Sequence, residues 1–589
     1  MASPAGNREG ISVWAPFATD AQLEARGERS PLERDAGGWW RWREGPLRPG
    51  EDYAFRIDGD GPFPDPRSPW QPAGVHGPSR VLDHDEFVWS DAHFQSRPLG
   101  AAVLYELHVG TFTSEGTFES AIARLDHLVN LGVTHVQLMP VAEFLGDYGW
   151  GYDGVCPYAP HDAYGGPNGL KTLVNACHQR GLGVLLDVVY NHLGPSGNYL
   201  PRFGPYLTGR YPTPWGSSIN FDGPYSDEVR EYFIGNALMW LRDYHIDGLR
   251  LDAVHAIVDL SATHFLEELA TRVDELKARL GRHLILIAES DLNDPRIVRP
   301  WELGGFGLDA QWSDDIHHAL HTVLTGERTG YYSDFGSLAD LAASMTQPYV
   351  YAGQHSQHRQ RRHGRPVSGL SAHRFLAYLQ NHDQLGNRAR GERMAHLTSS
   401  ERAKLGAALI LLSPYVPMLF QGEEWGASSP FEYFVDFASE PELGEAVRSG
   451  RMREFASFGW SPEEISNPTD RATFERSKLK WREIREPAHA EMHDWYRQLI
   501  ALRHRASAFT TGRLDLTRVD FNAEEQWICV HSEGAAVACN FDVRERSIPV
   551  GADRDRLLLA SRADVRPGED GRARLPGETV AVFGDATVE

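Results

Sequence analysis

Eight short apolar runs, separated by amphipathic helical patterns, constrain this 589-residue chain more than any other feature. Runs in which apolar residues are nearly continuous are typical of strands that are buried on both faces of a parallel sheet. Such runs lie at 102–109, 134–140, 183–190, 248–254, 284–290, 308–312, 375–380 and 417–424. Because a helical pattern follows most of them, we predict an α/β fold, a (β/α)8 TIM barrel. A doubly wound parallel sheet is the alternative.

Strand-like runs of a different kind precede the barrel pattern. They alternate with turn residues at 11–16, 39–43 and 52–58, which predicts an N-terminal β-sandwich domain over residues 1–97. The proline-rich stretch 60–78 is expected to be a loop wrapped over this domain, because proline interrupts helices and central strands.

The barrel domain is predicted over residues 98–507, with two departures from the regular pattern. The stretch 151–168 reads as a loop-like insert, and 429–487 as a polar, partly helical excursion after the eighth strand. Strand-like runs return beyond the barrel, and 527–541 has the pattern of a hairpin. We therefore predict a C-terminal all-β domain over residues 508–589.

The composition excludes several classes of partner. The chain has 58 Lys and Arg residues against 81 Asp and Glu residues, a net charge of −23 that would repel nucleic acid and anionic membranes. The first ten residues lack an apolar targeting segment, and no apolar run approaches the ~20 residues that a bilayer requires. Cysteines without metal-ligand spacing predict free thiols at Cys156, Cys177, Cys529 and Cys539. We expect a cytoplasmic monomer or weak oligomer, without nucleic-acid or membrane partners.

Charged and polar residues cluster where four of the predicted strands end. In a (β/α)8 barrel the loops after the strands converge on one face, and the working residues lie there. A single acid after a strand is more often a helix cap, but burying a whole set of charges without a function would cost several kcal/mol for each one. The set comprises Asp187, His192, Arg250, Asp252, His255, Glu289, His382 and Asp383.

The spacing of Arg250 and Asp252 has a chemical consequence. Side chains two residues apart on a strand project to the same side, so the guanidinium can contact the carboxylate and favour its ionised form. This predicts Asp252 as an anionic nucleophile. Glu289, on the neighbouring fifth strand, would be partly desolvated beside that negative charge, and both effects raise its pKa. We therefore predict a protonated Glu289 that acts as the general acid.

An ionised carboxylate beside a protonated one is the pair that glycoside cleavage requires. Four segments carry a resemblance in line with that chemistry. DVVYNH at 187–192, GLRLDAVH at 248–255, AES at 288–290 and QNHD at 380–383 resemble, in order, the signature regions of the α-amylase family of glycoside hydrolases. The resemblance implies a retaining double displacement, with Asp383 as the carboxylate that grips sugar hydroxyls and stabilises the oxocarbenium-like state.

The same resemblance implies roles for the residues around the three acids. Asp187 would support the pair of Arg250 and Asp252, and His192 and His382 would donate hydrogen bonds to the sugar at the cleavage point. Tyr152, in the run WGYDG, would stack on that sugar, since an aromatic face suits the C–H face of a pyranose. His255 would contact the sugar on the leaving side. For Trp215, stacking on the sugar and simply covering the barrel remain equally open.

Longer stretches resemble one branch of that family, the trehalohydrolases. These stretches are 105–118, 143–167, 308–332, 381–393 and 420–437. The resemblance implies hydrolysis of the α-1,4 bond next to the terminal trehalose unit of maltooligosyltrehalose, with trehalose as product and no cofactor. The alternative is a 1,4-α-glucan branching enzyme, a glycosyltransferase in which a sugar hydroxyl replaces water at the same intermediate.

Two runs distinguish the trehalohydrolase branch from branching enzymes, WSDDIHHALH after the sixth strand and QLGNRARGER after Asp383. They place Asp314, Asp315 and Gln384 at the mouth of the cleft as candidate sugar contacts, and capping or loop hydrogen bonding is the open alternative for each. The helix-spaced histidines at 317, 318 and 321 are interpreted as a packed or solvated cluster rather than a metal site. We predict no required metal ion.

Overall fold

Two antiparallel sheets form the N-terminal part of the structure, a computed structural model that describes residues 10–456, 460–461, 464–568, 570–585 and 588. The strands are β1 (Ser12–Trp14), β2 (Ala21–Ala25), β3 (Glu28–Pro31), β4 (Glu33–Arg34), β5 (Trp39–Arg41), β6 (Asp52–Ile57), β7 (Asp60–Phe63) and β8 (Ser79–Arg80). One sheet has the order β1-β5-β4 and the other β3-β2-β6-β7, with β8 against β6. Alternate residues of both sheets, among them Val13, Trp40, Leu23 and Phe55, are buried in a common core.

Strand β7 corrects the expectation that residues 60–78 form only a loop. Asp60–Phe63 pairs with β6 at the outer edge of its sheet. An edge strand tolerates Pro62, because the missing N–H is not required on the free side of the strand. Beyond Phe63 the stretch runs as turns and loop as far as β8.

Eight parallel strands of the described chain close into a barrel. The strands from residue 104 to residue 420 are β9 (Leu104–Leu107), β10 (His135–Leu138), β11 (Ala142–Glu143), β12 (Cys156–Pro160), β13 (Gly183–Val188), β14 (Leu207–Thr213), β15 (Gly216–Ile219), β16 (Gly248–Leu251), β17 (Ile285–Ala288), β18 (Ala310–Trp312), β19 (Ala352–Ser356), β20 (Arg361–Gly364), β21 (Phe375–Tyr378) and β22 (Val416–Phe420). The barrel order is β9-β10-β13-β16-β17-β18-β21-β22, and β22 pairs with β9 to complete the ring. The predicted TIM barrel is confirmed.

Helices cover the outside of this ring and follow the amphipathic patterns of the sequence. They are α1 (Val109–Phe112), α2 (Phe118–Ile122), α3 (Leu125–Leu131), α4 (Gly166–Gln179), α5 (Leu200–Phe203), α6 (Ser226–Asp243), α7 (Phe265–Leu280), α8 (Asp314–Thr325), α9 (Leu338–Thr346), α10 (His382–Gly386), α11 (Met394–Leu397), α12 (Ser400–Leu411), α13 (Pro441–Ala456), α14 (Arg471–Ser477) and α15 (Pro487–Arg505). The barrel strands are buried on both faces, which explains their continuous apolar runs. No helix within the described ranges combines the length and apolarity needed to cross a bilayer.

The predicted loop at 151–168 is only partly a loop. Cys156–Pro160 forms β12, which pairs with β11 and is fully buried, and α4 begins at Gly166. The prolines at both ends of CPYAP disguise this strand, since proline is uncommon inside a sheet. The excursion at 429–487 carries α13 and α14 as predicted, although residues 457–459 and 462–463 lie outside the described part.

The C-terminal part is all β, as predicted. Its strands are β23 (Arg518–Asn522), β24 (Trp527–Ser532), β25 (Ala535–Asn540), β26 (Arg546–Pro549), β27 (Arg556–Ala560), β28 (Arg566–Pro567), β29 (Arg572–Leu575) and β30 (Thr579–Gly584). The predicted hairpin turns at Glu533-Gly534, between β24 and β25. One sheet has the order β23-β24-β25-β30-β27 and the other β26-β29-β28. The cysteines at 156, 177, 529 and 539 are buried free thiols, as predicted.

Candidate active site

One fully buried guanidinium gathers the carboxylates at the ends of three neighbouring strands. Asp187 is on β13, Arg250 is on β16 with Asp252 just after it, and Glu289 follows β17. Nη1 of Arg250 lies 2.8 Å from Asp187 Oδ2 and 2.8 Å from Asp252 Oδ1, and Nη2 lies 2.9 Å from Glu289 Oε2. The contact predicted from the spacing of Arg250 and Asp252 is confirmed.

Trp312 supports this guanidinium from a fourth strand. The Cζ atom of Arg250 lies 4.3 Å from the centroid of the Trp312 ring, which is itself buried on β18. An aromatic face attracts a cation, and the attraction is stronger where water is excluded. Trp312 was not predicted as a site residue, because a tryptophan within an apolar run is typical of the core.

Asp252 is held in its ionised form. Burial alone would raise its pKa, but the positive charge of Arg250, together with His192 and a hydrogen bond from Asn191, lowers it below the ordinary value. Nδ2 of Asn191 donates to Asp252 Oδ2 at 2.7 Å and to the Asp252 carbonyl at 2.8 Å. Both carboxylate oxygens therefore have a donor, and the side chain is fixed in place.

Glu289 has the opposite protonation. Burial and then the negative charges of Asp252 and Asp383 raise its pKa well above the ordinary value, against the effect of Arg250. Its Oε2 accepts a hydrogen bond from the backbone N–H of Ala253 at 2.7 Å. The pKa directions predicted for Asp252 and Glu289 are confirmed, and the two groups form an anionic and a protonated carboxyl on one cation.

Asp383 lies in the first turn of α10, at the end of β21. Asn381 caps this helix, and its Oδ1 accepts the Asp383 backbone N–H at 2.9 Å. The side chain of Asp383 is 36% exposed, against 10% for Asp252 and 18% for Glu289. The structure thus brings the three predicted acids to one face of the barrel, with Asp383 the most open to the cleft.

His382 and Tyr152 connect Asp383 with the Arg250 cluster. Tyr152 Oη donates to Asp187 Oδ2 at 2.7 Å and lies 2.8 Å from His382 Nε2, which is 3.5 Å from Asp383 Oδ1. On its other side, His382 Nδ1 lies 2.7 Å from Glu106 Oε1. Burial would lower the pKa of His382, but Glu106 and Asp383 raise it to about 9. Glu106 was not predicted as a site residue, because it is a lone acid inside an apolar run.

Trp215 and His192 form a stacked pair beside the cleft. Trp215 lies in the turn between β14 and β15 and is 48% exposed. Its ring stacks on His192 with centroids 4.9 Å apart and planes 9° apart. His192 Nε2 lies 3.0 Å from the carbonyl of Tyr152. Trp215 is therefore adjacent to His192 and about half exposed.

Asp314 and Gln384 contact each other across the first turns of α8 and α10. Gln384 Nε2 donates to Asp314 Oδ1 at 3.4 Å, and Tyr378 Oη donates to the same oxygen at 2.6 Å. Burial, the largest effect, raises the pKa of Asp314 to about 6. His255 is exposed in a short helix, Val254–Ala256, directly after Asp252. Asp314 and Gln384 thus contact each other directly, whereas His255 is exposed beside Asp252.

Unlike Asp314, Asp315 accepts hydrogen bonds from the backbone of a neighbouring loop. It is buried, and its Oδ2 accepts the backbone N–H groups of Val350 and Tyr351 at 2.7 and 2.8 Å and the Asn293 amide at 2.9 Å. Burial raises its pKa to about 7 in spite of these bonds. This geometry supports the loop-anchoring alternative, in which Asp315 holds the segment before β19.

A small cavity adjoins this region and was not foreseen. It is lined by residues that include Asp291, Asp314, His318, Tyr331 and Arg359. Asp291 lies two residues after Glu289, and its Oδ2 accepts a hydrogen bond from Nη1 of Arg359 at 2.8 Å. No sequence signal linked Arg359 to the strand ends, because it lies on a long insertion between β18 and β21.

Of the two interpretations of the α8 histidines, packed or solvated, the structure shows the packed one. His317 Nδ1 lies 2.8 Å from the Leu379 carbonyl, and His321 Nε2 lies 2.6 Å from Glu327. Burial lowers the pKa of His318 to about 3, so this ring is neutral. No group of three potential metal ligands occurs in the part of the chain that the structure describes.

Comparison with known proteins gives the family. The alpha-amylase catalytic domain model matches residues 83–203 and 224–512, and a domain of unknown function, DUF3459, matches 512–582. A malto-oligosyltrehalose trehalohydrolase from Arthrobacter ramosus is 50% identical, over 97% of this chain and 98% of that protein. One from Mycobacterium tuberculosis is 49% identical, over 93% of this chain and 94% of that protein.

Solved structures agree with these matches. A crystal structure of a Salmonella typhimurium protein named as an alpha amylase aligns with a TM-score of 0.90 and 36% identity, covering 98% of this chain and 97% of that one. A branching enzyme from Pseudoalteromonas atlantica is 30% identical over only 53% of this chain and 49% of its own length. The chain therefore belongs to the α-amylase family and, within it, to the malto-oligosyltrehalose trehalohydrolases.

Proposed function

We propose that this protein hydrolyses the α-1,4-glucosidic bond next to the terminal trehalose unit of maltooligosyltrehalose and releases trehalose, without a cofactor. The observation that carries the proposal is the opposite protonation of Asp252 and Glu289 on the shared Arg250. The names and the near-complete coverage of the trehalohydrolase relatives support the substrate.

The first half-reaction uses both carboxyl groups at once. An Asp252 oxygen attacks the anomeric carbon, and the bond from that carbon to the glycosidic oxygen breaks. Glu289 gives its proton to the departing oxygen, so that trehalose leaves as a neutral alcohol. The products of this step are a glycosyl ester on Asp252 and an ionised Glu289.

The second half-reaction restores the enzyme. Glu289, now a carboxylate, takes a proton from water as that water attacks the anomeric carbon and the ester bond to Asp252 breaks. Asp383 stabilises the positive charge that develops on the sugar in both steps. The configuration is retained, and the placement of both carboxyls on one guanidinium supports the short separation, about 5 to 5.5 Å, of retaining enzymes.

The substrate contacts are part of the same proposal. Tyr152 and Trp215 offer aromatic faces to sugar rings, and His192, His382, Asp314 and Gln384 offer polar groups along the cleft. His255 contacts the leaving-side sugar, whereas Asp187 and Arg250 act by holding Asp252. Asp315 contributes through the loop at Val350. The domain limits at 97/98 and 507/508, a cytoplasmic location and a monomeric or weakly oligomeric state also remain proposals.

Product analysis with two substrates tests the function. Incubation with maltotriosyltrehalose should release trehalose and maltotriose, with the new reducing end appearing first as the α anomer by NMR. Incubation with amylose should give no new α-1,6 branches. Glu289→Gln, which keeps the shape of the side chain, is the matched control and should release trehalose roughly a thousandfold more slowly. Branches in amylose without trehalose from the first substrate would replace hydrolysis by glycosyl transfer.

A further inference from the structure

Glu106 is a buried carboxylate that has no role in the proposed reaction steps. It lies on β9, the first strand of the barrel, and is fully buried. Both of its carboxylate oxygens contact His382. Oε2 accepts a hydrogen bond from the backbone N–H of His382 at 3.1 Å, and Oε1 lies 2.7 Å from His382 Nδ1. A charge buried this deeply needs a partner, and His382 is the partner.

A chain of hydrogen bonds leads from Glu106 to Asp252. Because a carboxylate can only accept, His382 Nδ1 carries a hydrogen. Tyr152 Oη donates to Asp187 at 2.7 Å, so its single hydrogen is used, and it accepts from His382 Nε2 at 2.8 Å. His382 therefore has both ring nitrogens protonated. Asp187 continues the chain to Arg250 and Asp252 through 2.8 Å contacts.

The charges that face His382 come from four directions. Glu106 on β9 and its own neighbour Asp383 favour the imidazolium, and Asp187 on β13 is attracted to it. Arg250 on β16 and His108 after β9 act against the proton. The rings of Trp150 and Trp312 meet the imidazole with centroids 5.3 and 6.0 Å away and exclude water. Glu106 is the carboxylate in direct contact with Nδ1, so its removal should shift the balance.

We propose that Glu106 is a positioning residue of the glycosidase reaction: it holds His382 as an imidazolium, which fixes the Tyr152 ring and the Asp383 carboxylate where the sugar at the cleavage point must bind. This inference rests on the proposed function. A purely structural Glu106 would fill space in the barrel and would lower activity, if at all, by the same factor at every pH.

The pH profile of Glu106→Gln separates these roles. Glutamine can still accept a hydrogen bond from Nδ1 but no longer stabilises the positive charge, so the pKa of His382 should fall from about 9 towards the ordinary ~6.5. Relative to the wild type, kcat/KM on maltotriosyltrehalose should be within about threefold at pH 5.5 and at least tenfold lower at pH 8. A wild-type to variant ratio that is constant across this range would overturn the proposal.

The control is Glu424→Gln, the same substitution at another buried carboxylate of the barrel. Glu424 also contacts a histidine, His127 Nε2 at 2.7 Å, but it lies in the turn after β22, outside the proposed site. Its kcat/KM should keep the wild-type pH profile. The double variant Glu106→Gln/His382→Asn should be no slower than His382→Asn alone, because Glu106 acts through that ring. A further loss of tenfold in the double variant would show that Glu106 acts by another route.

A measurement on the wild type keeps the test valid if Glu106→Gln fails to fold. In protein labelled with 13C at the histidine Cε1 atoms, the signal that is missing from His382→Asn should be that of an imidazolium at pH 7.5 and should titrate near pH 9. A neutral His382 at pH 7.5 would contradict the inference. If the wild type releases no trehalose, the proposed function fails; an unchanged pH profile of Glu106→Gln beside an active wild type contradicts only the role of Glu106.

Discussion

At the residue scale, Arg250 determines the state of the whole site. Its charge is removed from water and contacts three carboxyl groups: the pKa of Asp252 lies below the ordinary value, and that of Glu289 lies well above it. Removing one partner from such a buried cluster typically destabilises a protein by about 3–5 kcal/mol. Conservative substitutions that keep volume and hydrogen bonds are therefore the informative ones here.

The roles of Asp252 and Glu289 can be separated with a substrate that needs no acid. Glu289→Gln should lower kcat on maltotriosyltrehalose by roughly three orders of magnitude, in line with the usual contribution of general acid catalysis. It should still react rapidly in its first step with maltotriosyl fluoride, because fluoride leaves without a proton. A burst of released fluoride, measured with an ion-selective electrode, checks this expectation.

Asp252→Asn is the matched comparison, since it removes the attacking charge and little volume. It should lower turnover by several orders of magnitude on both substrates while the circular dichroism spectrum stays that of the wild type. Full activity of Asp252→Asn towards the fluoride would show that another residue is the nucleophile.

The site could be predicted from sequence only where strand geometry dictates it. Arg250 and Asp252 lie two residues apart on a strand and Glu289 ends the next one, so their contact follows from side-chain alternation and strand order. Glu106 and Trp312 could not be found in this way, because a single polar or aromatic residue in an apolar run reads as core. The function of Asp315 depends on Val350, and no local pattern connects residues so far apart in sequence.

At the element scale, segment 84–97 fastens the N-terminal part to the bottom of the barrel. His178 of α4 lies between two carboxylates, with Nδ1 2.7 Å from Asp91 and Nε2 2.9 Å from Asp247, and Phe94 stacks on its ring at 4.0 Å. Two carboxylates on the two nitrogens require an imidazolium. Burial would lower the pKa of His178, but the bonds to Asp247 and Asp91 raise it above the ordinary value.

The raised pKa of His178 determines how its contribution to the free energy of unfolding changes with pH. Because the folded-state pKa exceeds that of the unfolded chain, about 6.5, the stabilisation is fully present below pH 6.5 and is lost as the pH rises through the folded-state value. His178→Gln should therefore reduce the free energy of unfolding by about 3 kcal/mol at pH 6 and by clearly less at pH 9. Denaturant unfolding at the two pH values measures the difference.

The control for this prediction is His504→Gln. His504 has a pKa lowered by burial and contacts the carbonyl of Gly132 rather than a carboxylate. The decrease in the free energy of unfolding caused by His504→Gln should therefore be smaller at pH 6 than at pH 9, the opposite of His178→Gln. A loss of stability in His178→Gln that is the same at pH 6 and pH 9 would mean that His178 contributes by packing alone.

The hairpin of β14 and β15 places Trp215 against His192, and this stacking leaves both predicted roles of Trp215 open. If the exposed ring also binds sugar, Trp215→Ala should lower kcat/KM about tenfold, the size of one aromatic contact of about 1.4 kcal/mol. Trp215→Phe keeps an aromatic face and should stay within about threefold of the wild type. Equal kcat/KM for all three proteins would leave Trp215 as a cover for His192.

Burial on both faces made the barrel strands predictable, whereas proline content hid other strands. All eight barrel strands were located, because strands buried on both faces leave an apolar signature that no surface residue interrupts. The short strands β7 and β12 were missed, since Pro62, Pro157 and Pro160 are typical of loops and only an edge position or a short paired partner accommodates them.

At the scale of the whole molecule, the barrel and the C-terminal sheets share an interface of charge and apolar contacts. Arg402 of α12 donates hydrogen bonds from Nε to Glu578 Oε1 at 2.8 Å and from Nη2 to the Phe541 carbonyl at 2.9 Å. Ser399 Oγ donates to Glu578 Oε2 at 2.9 Å. Apolar residues of β24 and β25 belong to the same core as the barrel helices. Neither part presents a fully polar surface to the other.

Truncation tests this shared core. A chain that ends at residue 507 would expose the apolar face of α12 to water, and exposed apolar patches of this kind cause aggregation. We expect the truncated protein to be recovered in the insoluble fraction, whereas the full chain is soluble under the same expression conditions. A soluble, active truncated protein would show that the barrel is an independent folding unit.

The pairing of β22 with β9 has a consequence for how the protein is made. The ring cannot close until Phe420 has left the ribosome, and Tyr105 donates to Glu424, a partner 319 residues further along the chain. Until then the edge of β9 that pairs with β22 is unpaired. Because contacts so distant in sequence form slowly and leave apolar edges open, the nascent chain should depend on chaperones during translation.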